Sequence, residues 1–369
     1  MWDGQVAHQD PEIAALRAQF ECVRITQLNG LDLARFEFDY DNTWQAFFLD
    51  PDLNVYSRYG GRDAESPESR LSKESLLNTM RQVLAAHELR RREADSAAAR
   101  AAVHPAAEKP LRPEDIPLIR KHHTGCLHCH QVQEYRLLQS YADGAFDRQL
   151  LFPFPLPENL GLTFEREHGH RVERVAEGSA AERAGVRRGE TLVRAENISI
   201  RSEEDFRWAL QRHRREAALV VEVESAMTAG ETPVRRKVTV LLEEGWWKGD
   251  VSWRKSLRSY PVPWGFLGYS VGSEERRTAG LEADSLAIKV VSLRGQSGGV
   301  AKALGLVKGD LIVRLAGESR LLTLEQFKSE MLKRYAPGDE IRIEVVRGGE
   351  RHELTGRFPD WFTTDRTVP

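Results

Sequence analysis

The chain has 369 residues, 41% of them hydrophobic and 30% charged, with 53 Lys+Arg against 56 Asp+Glu for a formal charge of −3. Domains run to about 100–200 residues, so two to four are expected, and the charge balance excludes a nucleic-acid binder that works through bulk positive charge. No run of about 18 apolar residues is present to span a bilayer, and cysteines at Cys22, Cys126 and Cys129 alone exclude a disulfide framework.

The start, Met1-Trp-Asp-Gly-Gln5, has neither a basic nor an apolar leader region, as expected of a mature or trimmed form. Residues 11–20 predict a short helix with proline in its first turn and Ile13, Leu16 and Phe20 on one face. The β-branched run Cys22-Val-Arg-Ile-Thr26 predicts a strand. Residues 45–49 and 55–59 predict two more, joined by a turn at Asp50-Pro-Asp-Leu-Asn54 and closed by Gly60-Gly61. Residues 72–95 predict a long helix capped by Ser72, with Leu76, Leu77, Met80, Val83 and Leu84 at helical spacing.

This order over residues 1–90 resembles the C-terminal part of a thioredoxin fold, including the hairpin from Leu49 to Gly60. The departures are at the chemistry. Trp2-Asp3-Gly4-Gln5 stands where that family carries Cys-x-x-Cys, and Asn42-Thr43-Trp44 replaces the proline before the strand. The resemblance therefore implies a redox-silent scaffold, and Cys22 is expected to pack as a small buried hydrophobe.

Residues 96–112 are alanine- and proline-rich and read as a linker. A helical segment, 113–157, follows, ending in the extended run Phe152-Pro-Phe-Pro-Leu-Pro157. It contains Gly125-Cys126-Leu127-His128-Cys129-His130, a Cys-x-x-Cys-His motif. Two cysteines at this spacing, on a turn opening into a helix, can each reach one vinyl group of a porphyrin, and the next residue, His130, then points at the iron. Covalent haem c at Cys126 and Cys129 is the first expectation. A sixth ligand would come from His122 or His123, or from His104 or Met80, since no methionine follows before Met227. Three alternatives stay open: a thiol–disulfide redox pair, Cys126 and Cys129; a zinc or copper(I) site drawing on His122 or His123 with the cysteines and His128 or His130; and a structural disulfide.

Beyond residue 158 the chain repeats itself. Gly178-Ser-Ala-Ala-Glu-Arg-Ala-Gly185-Val-Arg-Arg-Gly189-Glu190 answers Gly298-Gly-Val-Ala-Lys-Ala-Leu-Gly305-Leu-Val-Lys-Gly309-Asp310. Each block is followed by an amphipathic helix, 202–210 or 323–332, and by alternating strands. The pattern resembles the PDZ domains of bacterial envelope proteases, implying two PDZ-like small β-barrels at 158–245 and 262–361 with a tryptophan-rich connector at 246–261.

That resemblance implies an extended peptide or C-terminus added to a sheet edge, its carboxylate held by backbone N–H groups of the preceding loop. Carried over, the peptide-binding residues are Leu160, Gly161, Leu162, Phe206 and Leu210 in the first copy. In the second they are Leu267, Gly268, Tyr269, Phe327 and Met331. The apolar members could equally be core. No spare domain remains to hold a catalytic triad, which speaks against a protease, so no catalytic residue is assigned.

The expected fold class is α+β and multidomain: a truncated thioredoxin-like domain (1–95), a short helical Cys-x-x-Cys-His segment and two PDZ-like barrels. The whole resembles bacterial thioredoxin-like/PDZ envelope proteins, some related to selenoproteins. The expected function is an extracytoplasmic, periplasmic or cell-surface, redox or electron-transfer protein whose PDZ domains bind partner proteins. A thiol–disulfide oxidoreductase and a PDZ scaffold with a structural metal are the alternatives.

Overall fold

The computed structural model describes residues 10–93, 110–215, 217–225, 233–257, 262–294 and 299–361. The linker at 96–109, with His104, and residues 258–261 of the connector lie outside them. The chain divides into two compact units: Met1–Val132 with Asp147–Gly249, and Gln133–Phe146 with Asp250–Pro369.

In the first unit, α1 (Pro11–Arg17) starts on Asp10, whose carboxylate accepts from the backbone N–H groups of Glu12 and Ile13. Strands β1 (Gln45–Leu49) and β2 (Val55–Gly60) form an antiparallel hairpin. Its turn is held by Asp50, which accepts from the backbone N–H of Asn54 at 2.8 Å. Helix α2 (Lys73–Arg92) begins in a capping box between Ser72 and Ser75. Its apolar face, Leu76, Leu77 and Met80, packs with Ile13, Tyr59 and Leu71.

The hairpin and helix are thus where the sequence puts them. The strand expected at Cys22–Thr26 is not formed: among the described residues no strand pairs with the segment, and Val23 and Ile25 are exposed. Cys22, expected to be buried, is exposed with it. The only sheet among the described residues of this region is two-stranded, and the further strands of a thioredoxin sheet are not among them. Helix α3 (Pro117–His122) follows, and α4 (Cys129–Ala142) runs from the first unit into residues counted with the second.

The first repeat copy completes this unit. Strands β3 (Leu162–Phe164) and β4 (Val172–Val175) pair, the single turn α5 (Ala180–Arg183) follows, and β5 (Thr191–Ala195) and β6 (Ile198–Ser199) lead into α6 (Glu203–Arg212). Strands β7 (Ala218–Glu224) and β8 (Arg235–Leu241) close a sheet ordered β6-β5-β7-β8. Alternation along β7 buries Leu219, Val221 and Val223 against Phe206, Ala209 and Leu210 of α6.

The second unit repeats the order. Strand β9 (Phe266–Ser270), α7 (Ser273–Thr278), β10 (Ile288–Leu293), α8 (Val300–Leu304), β11 (Leu311–Leu315), α9 (Leu324–Arg334), β12 (Glu340–Arg347) and β13 (Glu350–Arg357) build one antiparallel sheet. Its order is β13-β12-β11-β10-β9, which leaves β9 at an edge.

The sequence repeat is also a hydrogen-bond repeat. Glu190 accepts from the backbone N–H of Arg187 at 2.9 Å and holds Arg236 at 2.8 Å. Asp310 accepts from Val307 at 2.9 Å and holds Arg347 at 2.7 Å. Gly189 donates to Val172, and Gly309 to Val290. The acidic residue after the glycine recurs in both copies, where it closes this turn and ties to it an arginine of a later strand, Arg236 on β8 and Arg347 on β12.

His170, at the β3–β4 turn, is buried, and burial holds its imidazole down at about 4 from an ordinary 6.5. The folded state therefore resists a proton that the unfolded chain accepts. Stability is full above pH 6.5 and falls as the pH drops toward 4, by about 3 kcal/mol. Urea unfolding between pH 7.5 and 4 should show this loss, and His170→Leu should flatten the acid limb.

Candidate functional site

The Cys-x-x-Cys-His window sits where coil becomes helix. Cys126 is exposed in the coil, and Cys129 and His130 are the first two residues of α4. Asn29 brackets the approach: its side chain donates to the carbonyl of Gly125 at 3.3 Å and accepts from the backbone N–H of Leu127 at 3.2 Å. Cys126 Sγ lies 3.5 Å from Gln27 Oε1, and His123 Nε2 lies 3.3 Å from the Cys126 carbonyl. The rings of His128 and His130 stack at 6.0 Å.

All three thiols are free, so the structural disulfide is not formed. Burial pushes the Cys129 thiol up, which works against a reactive thiolate there. Among the described residues no three His, Cys, Asp or Glu side chains come together as a metal site. Met80 is not placed to serve as a ligand, because it lies in the core between α1 and α2. Two unpaired thiols on a coil-to-helix step, with a histidine one residue further, are compatible with covalent haem attachment.

In the first copy the loop before β3 and the helix α6 meet directly. Leu160, Leu162, Phe206 and Leu210 belong to one buried cluster, with the Phe164 ring 5.5 Å from that of Phe206. Gly161 (φ +84°) is required: a Cβ there would stand 2.1 Å from Ser179 Cβ. Its carbonyl accepts from Ala176 at 2.8 Å.

Helix α6 is enclosed on its remaining sides by charge. Its N-cap Ser202 donates to the Arg58 carbonyl at 2.5 Å. Asp205 accepts from Ser57 Oγ at 2.7 Å, from the Arg58 backbone N–H at 2.8 Å and from the Arg201 backbone N–H at 3.1 Å. Arg207 binds Glu204 at 2.8 Å and Asp39 at 2.7 Å, and donates to the Phe154 carbonyl at 3.3 Å. Gln211 accepts from the Phe154 backbone N–H at 2.8 Å. Arg70 joins Asp63, Glu158 and Glu203 at 2.7, 2.8 and 2.9 Å. The Arg58 guanidinium lies 3.7 Å over Trp208, whose Nε1 donates to Glu37 at 3.1 Å. Burial pushes the Glu203 carboxyl up to about 7 against the pull of Arg70.

The sequence shows this helix only as amphipathic, and the charges that cover its acidic start are distant in the chain; Arg58 lies in a strand buried throughout.

The second copy is open where the first is closed. Leu267 and Tyr269 are 41% and 48% exposed, against 1% for each of Leu160 and Leu162 at the same repeat positions. Phe327 and Met331, on α9, are buried. Gly268 is required by close approach, since a Cβ would lie 2.6 Å from the Lys289 carbonyl oxygen. Helix α9, capped by Thr323, runs alongside β9: the Leu324 backbone N–H donates to Ser270 Oγ at 2.8 Å, and Lys328 Nζ lies 5.9 Å from the centre of the Trp264 ring.

Replacing Asp205 by alanine removes the acceptor of three buried or half-buried donors. It should cost about 3 kcal/mol in denaturant unfolding. Arg201→Ala at the rim of the same network should cost less.

No curated protein sequence matches the chain. Three solved structures of HtrA-type proteases are similar: AlgWS227A with decapeptide, AlgW with decapeptide and AlgW with tripeptide. Their identities are 18%, 17% and 18%, and their TM-scores 0.25, 0.23 and 0.23. Each match covers 40% of this chain and 43%, 42% and 46% of the other, so the chain spans less than half the length of these relatives. The PDZ domain family matches residues 171–223, from the start of β4 through α6 to within β7, and the first repeat copy is a PDZ domain.

Proposed function

We propose that this protein is a peptide-binding scaffold in which the second repeat copy receives an extended ligand and the first serves as structure. The observation that carries this is the contrast in exposure between Leu267 and Tyr269 and their first-copy counterparts Leu160 and Leu162. An edge strand beside an apolar, solvent-open loop gives a peptide backbone a ladder to join and its side chains a surface to cover. Where both loop residues are sealed in the core, a ligand would have to displace the chain's own packing first.

The partners are proteins with an extended segment or a free C-terminus. Binding can be measured on the full chain by fluorescence polarisation against a library of labelled peptides with free C-termini. Tyr269→Ala should weaken binding of the selected peptides at least tenfold. Thr163→Ala, on the corresponding strand of the first copy, should leave it unchanged. Equal losses in the two variants would overturn the assignment to the second copy.

A second reading concerns the Cys126–His130 window: covalent haem c on Cys126 and Cys129 with His130 as an iron ligand. It is favoured by two free thiols on a coil-to-helix step followed directly by a histidine. Haem bound there would supply one-electron chemistry, and the chain would supply the thioether anchors, an axial imidazole and docking to partners. This reading places the protein outside the cytoplasm, in the periplasm or at the cell surface. Among the described residues no helix is long and apolar enough to cross a membrane. Protein matured with the haem attachment machinery should show a Soret band and the mass of one haem, and Cys129→Ser should remove the two-thioether species. A matured protein without either signal ends this reading.

A further inference from the structure

The run Cys22-Val-Arg-Ile-Thr26 has the residues of a strand and forms none: it is coil, and every residue from Glu21 to Gln27 is exposed. Val23 is 86% exposed and Ile25 54%, and Val23 is the barest large apolar side chain among the described residues. A single apolar residue at a surface is ordinary. These two are set apart by what holds the chain just after them. Gln27 Oε1 lies 3.5 Å from Cys126 Sγ. Asn29 donates to the Gly125 carbonyl and accepts from the Leu127 backbone N–H, at 3.3 and 3.2 Å. Leu28, between them, is buried, and the Gly30 backbone N–H donates to Glu114 at 2.8 Å. The segment is thus fastened along the Cys-x-x-Cys-His window, with its two apolar side chains left in solvent.

Chain length bounds how far they stand from the sulfur. A fully extended chain gains at most about 3.6 Å per residue, so the Ile25 Cα lies within about 7 Å of the Gln27 Cα, and the Val23 Cα within about 14 Å. Gln27 itself touches Cys126. The other side chains that meet the window, Asn29 and His123, are polar, and Leu127 and Val132 are already buried within the protein. A porphyrin anchored on the two thiols is a flat and largely apolar body, and it needs apolar side chains over it to keep water away. Within the reach of Gln27, Val23 and Ile25 are exposed and apolar.

From these observations we infer that Val23 and Ile25 are the apolar cover of a haem held at Cys126 and Cys129, with Gln27 and Asn29 positioning the segment that carries them. The inference rests on the haem reading above and adds the residues that exclude water from the macrocycle. It also gives the strand-prone run a partner of another kind: its apolar side chains cover a ring system instead of a neighbouring strand. Excluding water disfavours the more highly charged ferric state, so this cover raises the reduction potential.

Arg24 lies between the two residues and supplies the test, because trypsin cuts the bond that follows it. The full chain is digested with and without haem, and cleavage of the Arg24–Ile25 bond is followed by mass spectrometry. Haem should slow that cut at least tenfold. The double variant V23N/I25N should still show the Soret band and the mass of one haem. Its cut should return to within about twofold of the haem-free rate, and its reduction potential should fall below that of the wild type. Without haem the variant should unfold in urea at the wild-type midpoint, since both side chains are then in solvent. A shifted midpoint shows them buried already and overturns the inference. Equal cleavage with and without haem, or a double variant that keeps both the protection and the potential, overturns it and leaves haem attachment standing. A matured protein with neither Soret band nor haem mass overturns both.

Discussion

The first unit depends on burying the start of one helix. Glu203, Glu204 and Asp205 open α6, where negative charge suits the exposed N–H groups and the helix dipole. Left in water, they would need nothing more. Here they are covered, and a buried carboxylate is costly unless it is paired and hydrogen-bonded. Partners come from within α6, where Arg207 binds Glu204, and from well outside the repeat copy: Ser57 and the Arg58 backbone on Asp205, Arg70 on Glu203, and Asp39 as the second carboxylate on Arg207. Hairpin, α2 and α6 are therefore parts of one structure, because separating them would strand several charges at once. A buried network of this kind contributes specificity of docking more than net stability, since an apolar interface of the same size would hold as well.

The same constraint goes with a difference in exposure between the two copies. A PDZ-like groove lies between an edge strand and a helix, and in the first copy the helix is already engaged along its length. Phe154 bonds to Arg207 and Gln211, and the loop residues beside it are sealed. In the second copy the helix touches its edge strand at Ser270, while Leu267 and Tyr269 remain in solvent. The repeated pattern, with the same turn chemistry at Glu190 and Asp310, thus has its loop residues buried in one copy and exposed in the other. The PDZ family match lies in the first copy, the one whose loop residues are buried.

Much of this was legible in the order of residues. The repeat, its glycines, both N-caps, the hairpin turn and α2 all follow from local rules, since turns, caps and amphipathic faces depend on neighbours a few residues away. The failures share one cause. Cys22-Val-Arg-Ile-Thr26 has strand-forming residues, but a strand needs a ladder partner, and no strand pairs with it among the described residues. Cys22, expected in a core for its chemistry, lies exposed on the same segment that forms no strand.

The amino-acid sequence by itself determined the two-copy organisation, the helix caps, the position of the Cys-x-x-Cys-His window at a helix start and the apolar residues of each groove. Tertiary structure alone decided which groove is open, because exposure at Leu160 and at Leu267 depends on segments far away in the chain. It also decided the fate of the acidic triplet: a run of charges at a helix start reads as a wet surface until Arg58, Arg70 and Asp39, distant in sequence, are seen to cover it. Long-range burial changes the meaning of a charge, and local pattern carries no information about which distant group arrives.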